Sequence, residues 1–143
     1  MSVPKGVPRV LTGLFLLVGA AGLSSCFDAE PGPEPIQLGR QIYSRSCASC
    51  HGDAASGRGA VLGAANHGPE GHTWHHADQQ IIDIVLGRLD YPDRKMPSFE
   101  GQLNEEQVRA LLAYFKTNWT PQQRAAQAEV TRNWESLQQE DQR

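Results

Sequence analysis

The segment Cys47-Ala-Ser-Cys50-His51 sets two thiols three positions apart, with an imidazole directly after the second. At a helix end that spacing lets each sulfur reach one of the two vinyl groups of a haem. The histidine then falls beneath the iron as its fifth ligand, so the segment reads as a c-type haem attachment site. Two other chemistries use a C-x-x-C pair. A structural zinc site wants a second pair of ligands, and no cysteine follows Cys50. A thioredoxin-like redox pair belongs in a βαβ setting, whereas the flanks here read as helix before and glycine-rich loop after.

With His51 on one side of an iron, the opposite side decides the chemistry. Methionine occurs only at positions 1 and 96. Met1 falls in a segment read below as a leader, which leaves Met96 as the available thioether. It lies in a polar loop between Lys95 and Pro97, a poor place for core filler, and the proline stiffens the chain where a ligand would be presented. His51/Met96 ligation raises a reduction potential and leaves no open position on the metal, which favours electron transfer over chemistry on a bound substrate.

A second cluster follows, with His67 before the run Gly71-His72-Thr73-Trp74-His75-His76. Three readings stand. The imidazoles bind a second metal such as copper, or one of them replaces Met96 on the iron. In the third, they and Trp74 are structural, with Trp74 covering a haem edge and the histidines capping the next helix or meeting haem propionates. Arg58, Arg88, Arg94 and Lys95 are further candidates for propionate contacts or for a docking patch.

The elements that must position these groups are helical. Ile36, Gly39, Ile42, Tyr43 and Ser46 share one face of a first helix over 36–47. Gly39 inside it costs about 1 kcal/mol relative to alanine, which makes sense where another helix crosses closely. The partner is a helix over 104–119, with Val108, Leu111, Leu112, Phe115 and Trp119 on one face and acids at its start. Between them, residues 52–71 read as loop, 78–86 as a short helix with Ile81, Ile82, Val85 and Leu86 inward, and 87–101 as loop again. Thr120-Pro121 opens a last helical stretch to about residue 139 that is thin in apolar residues, and it reads either as a Gln-rich solvated tail or as a helix docked on the domain or a partner, with Trp134 as its one large anchor. The fold class expected is all-α.

Composition bounds the rest. The 143 residues suffice for one domain with appendages, and 39% hydrophobic content with a mean hydropathy of −0.47 describes a polar chain. Lys5 and Arg9 precede an apolar core at 10–22, which is signal-peptide length and short of a membrane span. Leu23-Ser24-Ser25-Cys26 resembles the lipobox of bacterial lipoproteins, in which the cysteine is acylated. Cleavage there removes two positives and no acid, taking the formal charge from −3 to −5. That balance argues against nucleic acid as a partner. Residues 26–35, with Pro31, Pro33 and Pro35 among acids, read as an extended linker.

Gly39-Arg-Gln-Ile-Tyr43, the Cys47–His51 motif, Met96-Pro97 and Leu111-Leu-Ala-Tyr114 together resemble a monohaem class I cytochrome c over residues 36–119. The resemblance implies a small domain wrapped around one covalent haem c. In it Gly39 and Tyr43 pack against Leu111 and Tyr114 of the last helix. The family usually sets the carbonyl that accepts the proximal histidine's Nδ1 proton with a proline, and here Pro69 is the sole proline of that loop and lies late. The expectation is a monomeric, lipid-anchored, periplasm-facing electron carrier that docks transiently on redox partners. The alternative is a haem enzyme or a ligand- or metal-responsive haem protein using the His67–His76 loop.

Overall fold

The computed structural model describes residues 32–57, 59, 61–89 and 94–143. The leader, Cys26, most of the linker and Arg58 lie outside the described residues. Five α-helices are present among the described residues: α1 (Pro33–Ser46), α2 (Ala48–His51), α3 (Asp78–Leu86), α4 (Glu105–Lys116) and α5 (Pro121–Asp141), with a 3₁₀ turn at Thr73–His75. No strand occurs among the described residues, and no helix there is long and apolar enough to cross a membrane.

The helix pair that organises the fold is α1 and α4. Gly39 faces the backbone of α4 so closely that a Cβ added there would overlap the Ala110 carbonyl oxygen and stand 2.6 Å from its carbon. The missing side chain is therefore the condition for the crossing. Ile42 and Tyr43 from α1 meet Val108, Leu111, Leu112 and Phe115 from α4, all of them buried. The Tyr43 ring stands edge-on to Phe115 and tilted against Tyr114, each with centroids 5.7 Å apart.

Helix α1 starts three residues before the expected Ile36, inside the segment read as linker. Pro33 and Pro35 look like breakers, yet both fall in the first turn, where backbone N–H groups have no partner within the helix and proline loses nothing. The expected 104–119 helix has Asn104 as its N-cap. The Asn104 side chain accepts from the Gln107 amide (2.8 Å), and Gln107 Oε1 accepts from the Asn104 amide (2.9 Å). Its last residues, 117–119, form a turn in which buried Trp119 closes the core.

Helix α3 has the expected bounds. It stops at Gly87, which adopts φ 78°, a left-handed conformation that ends helices and suits glycine. Its start cannot be capped by its own flanking residue, since Ala77 has no side-chain oxygen. The amide of Asp78 donates instead to Thr131 Oγ1 of α5 (3.1 Å).

Helix α5 docks on the domain through polar contacts, not through Trp134. Gln127 is buried, and its amide donates to Asp78 Oδ1 and to the His76 carbonyl (3.2 Å). Lys116 Nζ takes the other Asp78 oxygen at 2.9 Å, so one carboxylate joins α3, α4 and α5. Gln123 Nε2 donates to the Pro69 carbonyl at 2.8 Å. Trp134 is only partly buried, at the rim of a small groove with Gln79 and Arg109.

Candidate haem site

Cys47 ends α1, and Cys50 and His51 lie on the single-turn α2, so the short helix presents all three at one wall of a cleft of about 510 Å³. That volume falls in the range of small-molecule and cofactor sites. Ile84 of α3 and Met96, Pro97 and Phe99 of the loop after it also line this cleft. Val61 and Leu62 line the same cleft and are largely exposed, Leu62 at 98%.

Burial, with Cys50 as the lesser cause, pushes the Cys47 thiol up to about 11. A redox-active C-x-x-C pair depends on a depressed thiol. Cys47 is shifted the opposite way.

His51 is buried, and its Nδ1 donates to the Ala65 carbonyl at 2.8 Å. The carbonyl can only accept, so the proton sits on Nδ1 and the Nε2 lone pair is left for a metal. The acceptor is set by Ala65. Pro69, the candidate from sequence, uses its own carbonyl to receive Gln123. Next to Ala65, the Asn66 carbonyl accepts from Thr73 Oγ1 (3.1 Å) and the His67 carbonyl from Trp119 Nε1 (2.9 Å). Three consecutive carbonyls are thus held by side chains from three parts of the chain. Tyr43 reinforces the wall by donating to the Gly52 carbonyl at 2.9 Å, and burial raises its hydroxyl to about 12, so it remains a donor.

Met96 is held from both sides. The Arg94 guanidinium donates from Nε to the Met96 carbonyl (2.8 Å) and from a terminal nitrogen to the Ile84 carbonyl (2.6 Å). After Met96, Ser98 Oγ donates to the Leu86 carbonyl (2.6 Å), and the Phe99 amide donates to the Val85 carbonyl (3.1 Å). The last turn of α3 therefore anchors both ends of the loop that carries the thioether. Sequence reasoning had Arg94 among the candidates for propionates. Its donors are occupied with carbonyls, and the available signal was its position two residues before Met96.

The other basic candidates divide. Lys95 is exposed at the cleft, and Arg88 is engaged with Glu105, Glu100 and Asp83 on the surface. The histidine-rich loop lies elsewhere, since none of His67, His72, His75 or His76 is among the residues lining the cleft, and neither is Trp74. Trp74 donates to the Gly71 carbonyl (2.9 Å) and stacks on His75. No group of three His, Cys, Asp or Glu among the described residues converges as a metal site. His67 stacks on Phe115 (4.4 Å, 11°) and stands 4.5 Å from the His51 ring. Burial, with His51 and His72 as lesser causes, pushes its imidazole down to about 3, so it is neutral.

The donor set around the cleft is one imidazole, one thioether and two cysteine sulfurs among apolar walls, which fits a covalently bound haem and its iron. Residues 34–115 match the family described as cytochrome c oxidase, cbb3-type, subunit III. No curated protein and no solved structure matches the chain. The family match covers more than half of the chain, and its c-type domain carries haem c and serves haem-based electron transfer with redox partners. The chain belongs to that family, and it is a monohaem class I c-type cytochrome.

Proposed function

We propose that the protein is a one-electron carrier in which Cys47 and Cys50 would hold the haem through thioethers and His51 Nε2 and Met96 Sδ would ligate its iron. The bound group would supply a reversible ferric/ferrous couple. The chain's own work is to keep both donors in place in either state. His51 is fixed by Ala65, and Met96 is fixed by Arg94 and by the Ser98 and Phe99 anchors on α3. The observation that supports this reading is that Met96 lines the same cleft as Cys47, Cys50 and His51, on a loop pinned at both ends. Two strong donors leave no position for a substrate, so the protein acts as a carrier and not as an enzyme. It serves as a partner or a subunit of an oxidoreductase.

Electrons pass through the exposed edge of the cleft, where Lys95 and the uncovered Val61 and Leu62 offer a charged and apolar rim for a transiently docked donor or acceptor. The proposal extends to location. Cys26, after the apolar segment and small residues, would carry lipid and tether a monomeric domain to the periplasmic face of a membrane.

The test is the near-infrared spectrum of the ferric, haem-loaded protein beside that of Met96→Ala. A sulfur-to-iron charge-transfer band present in the wild type and lost in the variant is the expected result. A wild type without the band, or one that binds carbon monoxide readily when reduced, would overturn Met96 ligation.

A further inference from the structure

A hydrogen bond at Nδ1 fixes the tautomer of an axial histidine but not the plane of its ring. Such a bond tolerates roughly 30° off line, so the imidazole keeps that much swing about its Cβ–Cγ bond. Removing the swing requires a second contact against the face of the ring. In this chain the contact is His67, whose ring lies 4.5 Å from that of His51 at 32°.

His67 is itself immobilised. Its ring stacks on Phe115 and meets Tyr43 edge-on at 82°. Its Nδ1 lies 3.0 Å from Thr73 Oγ1. The Thr73 hydroxyl proton is already committed to the Asn66 carbonyl, so Thr73 can only accept at this contact, and His67 Nδ1–H is the donor. The His67 carbonyl is held by Trp119. Side chain and backbone are therefore both fixed, by groups on α1, α4, the turn after α4 and the 3₁₀ turn.

We propose that His67 is a positioning residue for the proximal histidine: its clamped ring sets the plane of the His51 imidazole and, through it, the ferric/ferrous equilibrium. The inference rests on His51 being an axial ligand. It assigns the histidine-rich loop a role on the proximal side of the site, where the loop touches the ligand and not the cleft. The flat ring is what matters. Phenylalanine at 67 preserves the face and leucine removes it at similar bulk.

The experiment uses the full-length, haem-loaded protein and reads two quantities that fold integrity alone does not move. One is the ferric electron paramagnetic resonance g values with the paramagnetically shifted His51 proton resonances, and the other is the reduced-to-oxidised ratio at a fixed poise. His67→Phe is expected to keep the wild-type g values and a ratio within 1.5-fold. His67→Leu is expected to change the g values and shift the ratio at least threefold, which is about 28 mV at 59 mV per tenfold for a one-electron couple. Phe115→Leu, which leaves the ring at 67 and removes the face it stacks on, is expected to shift the g values in the same direction by less, and it carries the test if His67→Leu does not fold. Wild-type g values and ratio in both His67→Leu and Phe115→Leu would overturn the proposal. A His67→Phe protein displaced as far as His67→Leu would overturn it too, by making the hydrogen bond and not the ring the active feature. Failure of the underlying ligation looks different: the wild type would then lack His51 resonances in the shifted region.

Discussion

Replacing Gly39 with alanine sets two opposed effects on one residue. Alanine is favoured over glycine in a helix interior by about 1 kcal/mol, so an isolated α1 would gain. In the folded protein the new Cβ would overlap the Ala110 carbonyl oxygen, and it would stand 3.0 Å from the Leu111 nitrogen. These are backbone atoms that no rotamer change can move. Helices α1 and α4 must separate by about an ångström, and a gap of that size forfeits up to half of each dispersion contact across the seam. Six buried side chains, Ile42, Tyr43, Val108, Leu111, Leu112 and Phe115, face one another there. If each loses about ten contacts at ~0.05 kcal/mol, the seam weakens by about 3 kcal/mol, within the usual cost of overpacking. The net loss is about 2 kcal/mol. For a domain of this size that lowers Tm by roughly 8–16 °C. Thermal unfolding of the haem-loaded protein, followed by far-ultraviolet circular dichroism and by haem absorption, measures it. A Gly39→Ala protein melting at or above the wild-type temperature would refute the argument that the crossing requires glycine.

Two further outcomes follow from the buried polar groups. Gln127→Leu deprives Asp78 Oδ1 and the His76 carbonyl of their donor, and losing hydrogen bonds to such half-buried acceptors costs about 1 kcal/mol. Amides of α5 should then exchange hydrogen faster while the haem spectrum stays that of the wild type, and unchanged protection would show that α5 is held by something else. The second concerns acid. His67, at about 3 when folded and near 6.5 when unfolded, binds its proton preferentially in the unfolded chain. Its contribution is intact above pH 6.5 and is lost as pH falls from there toward 3, with about 1.5 kcal/mol disappearing between pH 6.5 and 5. Denaturant unfolding over that window should show a shallower pH slope in His67→Phe, and equal slopes would mean that His67 is not buried neutral.

Much of this architecture can be read from side-chain type and spacing. The apolar period of Ile81, Ile82, Val85 and Leu86 with Gly87 after it locates α3 to the residue. The close approach of α4 is implied by one glycine in a helix face. The departures share a cause, which is that polar and backbone groups find partners the local sequence cannot name. Prolines at 33 and 35 read as linker because their tolerance in a first turn depends on where the helix begins. Gln127 reads as solvated because nothing local points to Asp78. The acceptor for His51 is a main-chain oxygen, a group every residue carries, so Ala65 bears no mark of its role. Arg94 reads as a surface cation, yet it feeds carbonyls on both sides of the thioether loop.

The bonds between the histidine-rich loop and the end of the chain also bear on the order of events in folding. Trp119 to His67, Gln123 to Pro69, Gln127 to His76 and Asp78 to Thr131 each join residues separated by 51 to 54 positions. Closing a loop of about 50 residues costs roughly 3.5 kcal/mol plus a constant. These contacts share one closure, so the first to form bears nearly all of it and the others follow at little further cost. A chain made from its N-terminus exposes Cys47 and Cys50 long before residue 131 exists. The cysteines are therefore open to modification during an interval in which the wall behind His51 has nothing to set against, and that wall then locks in a single late step.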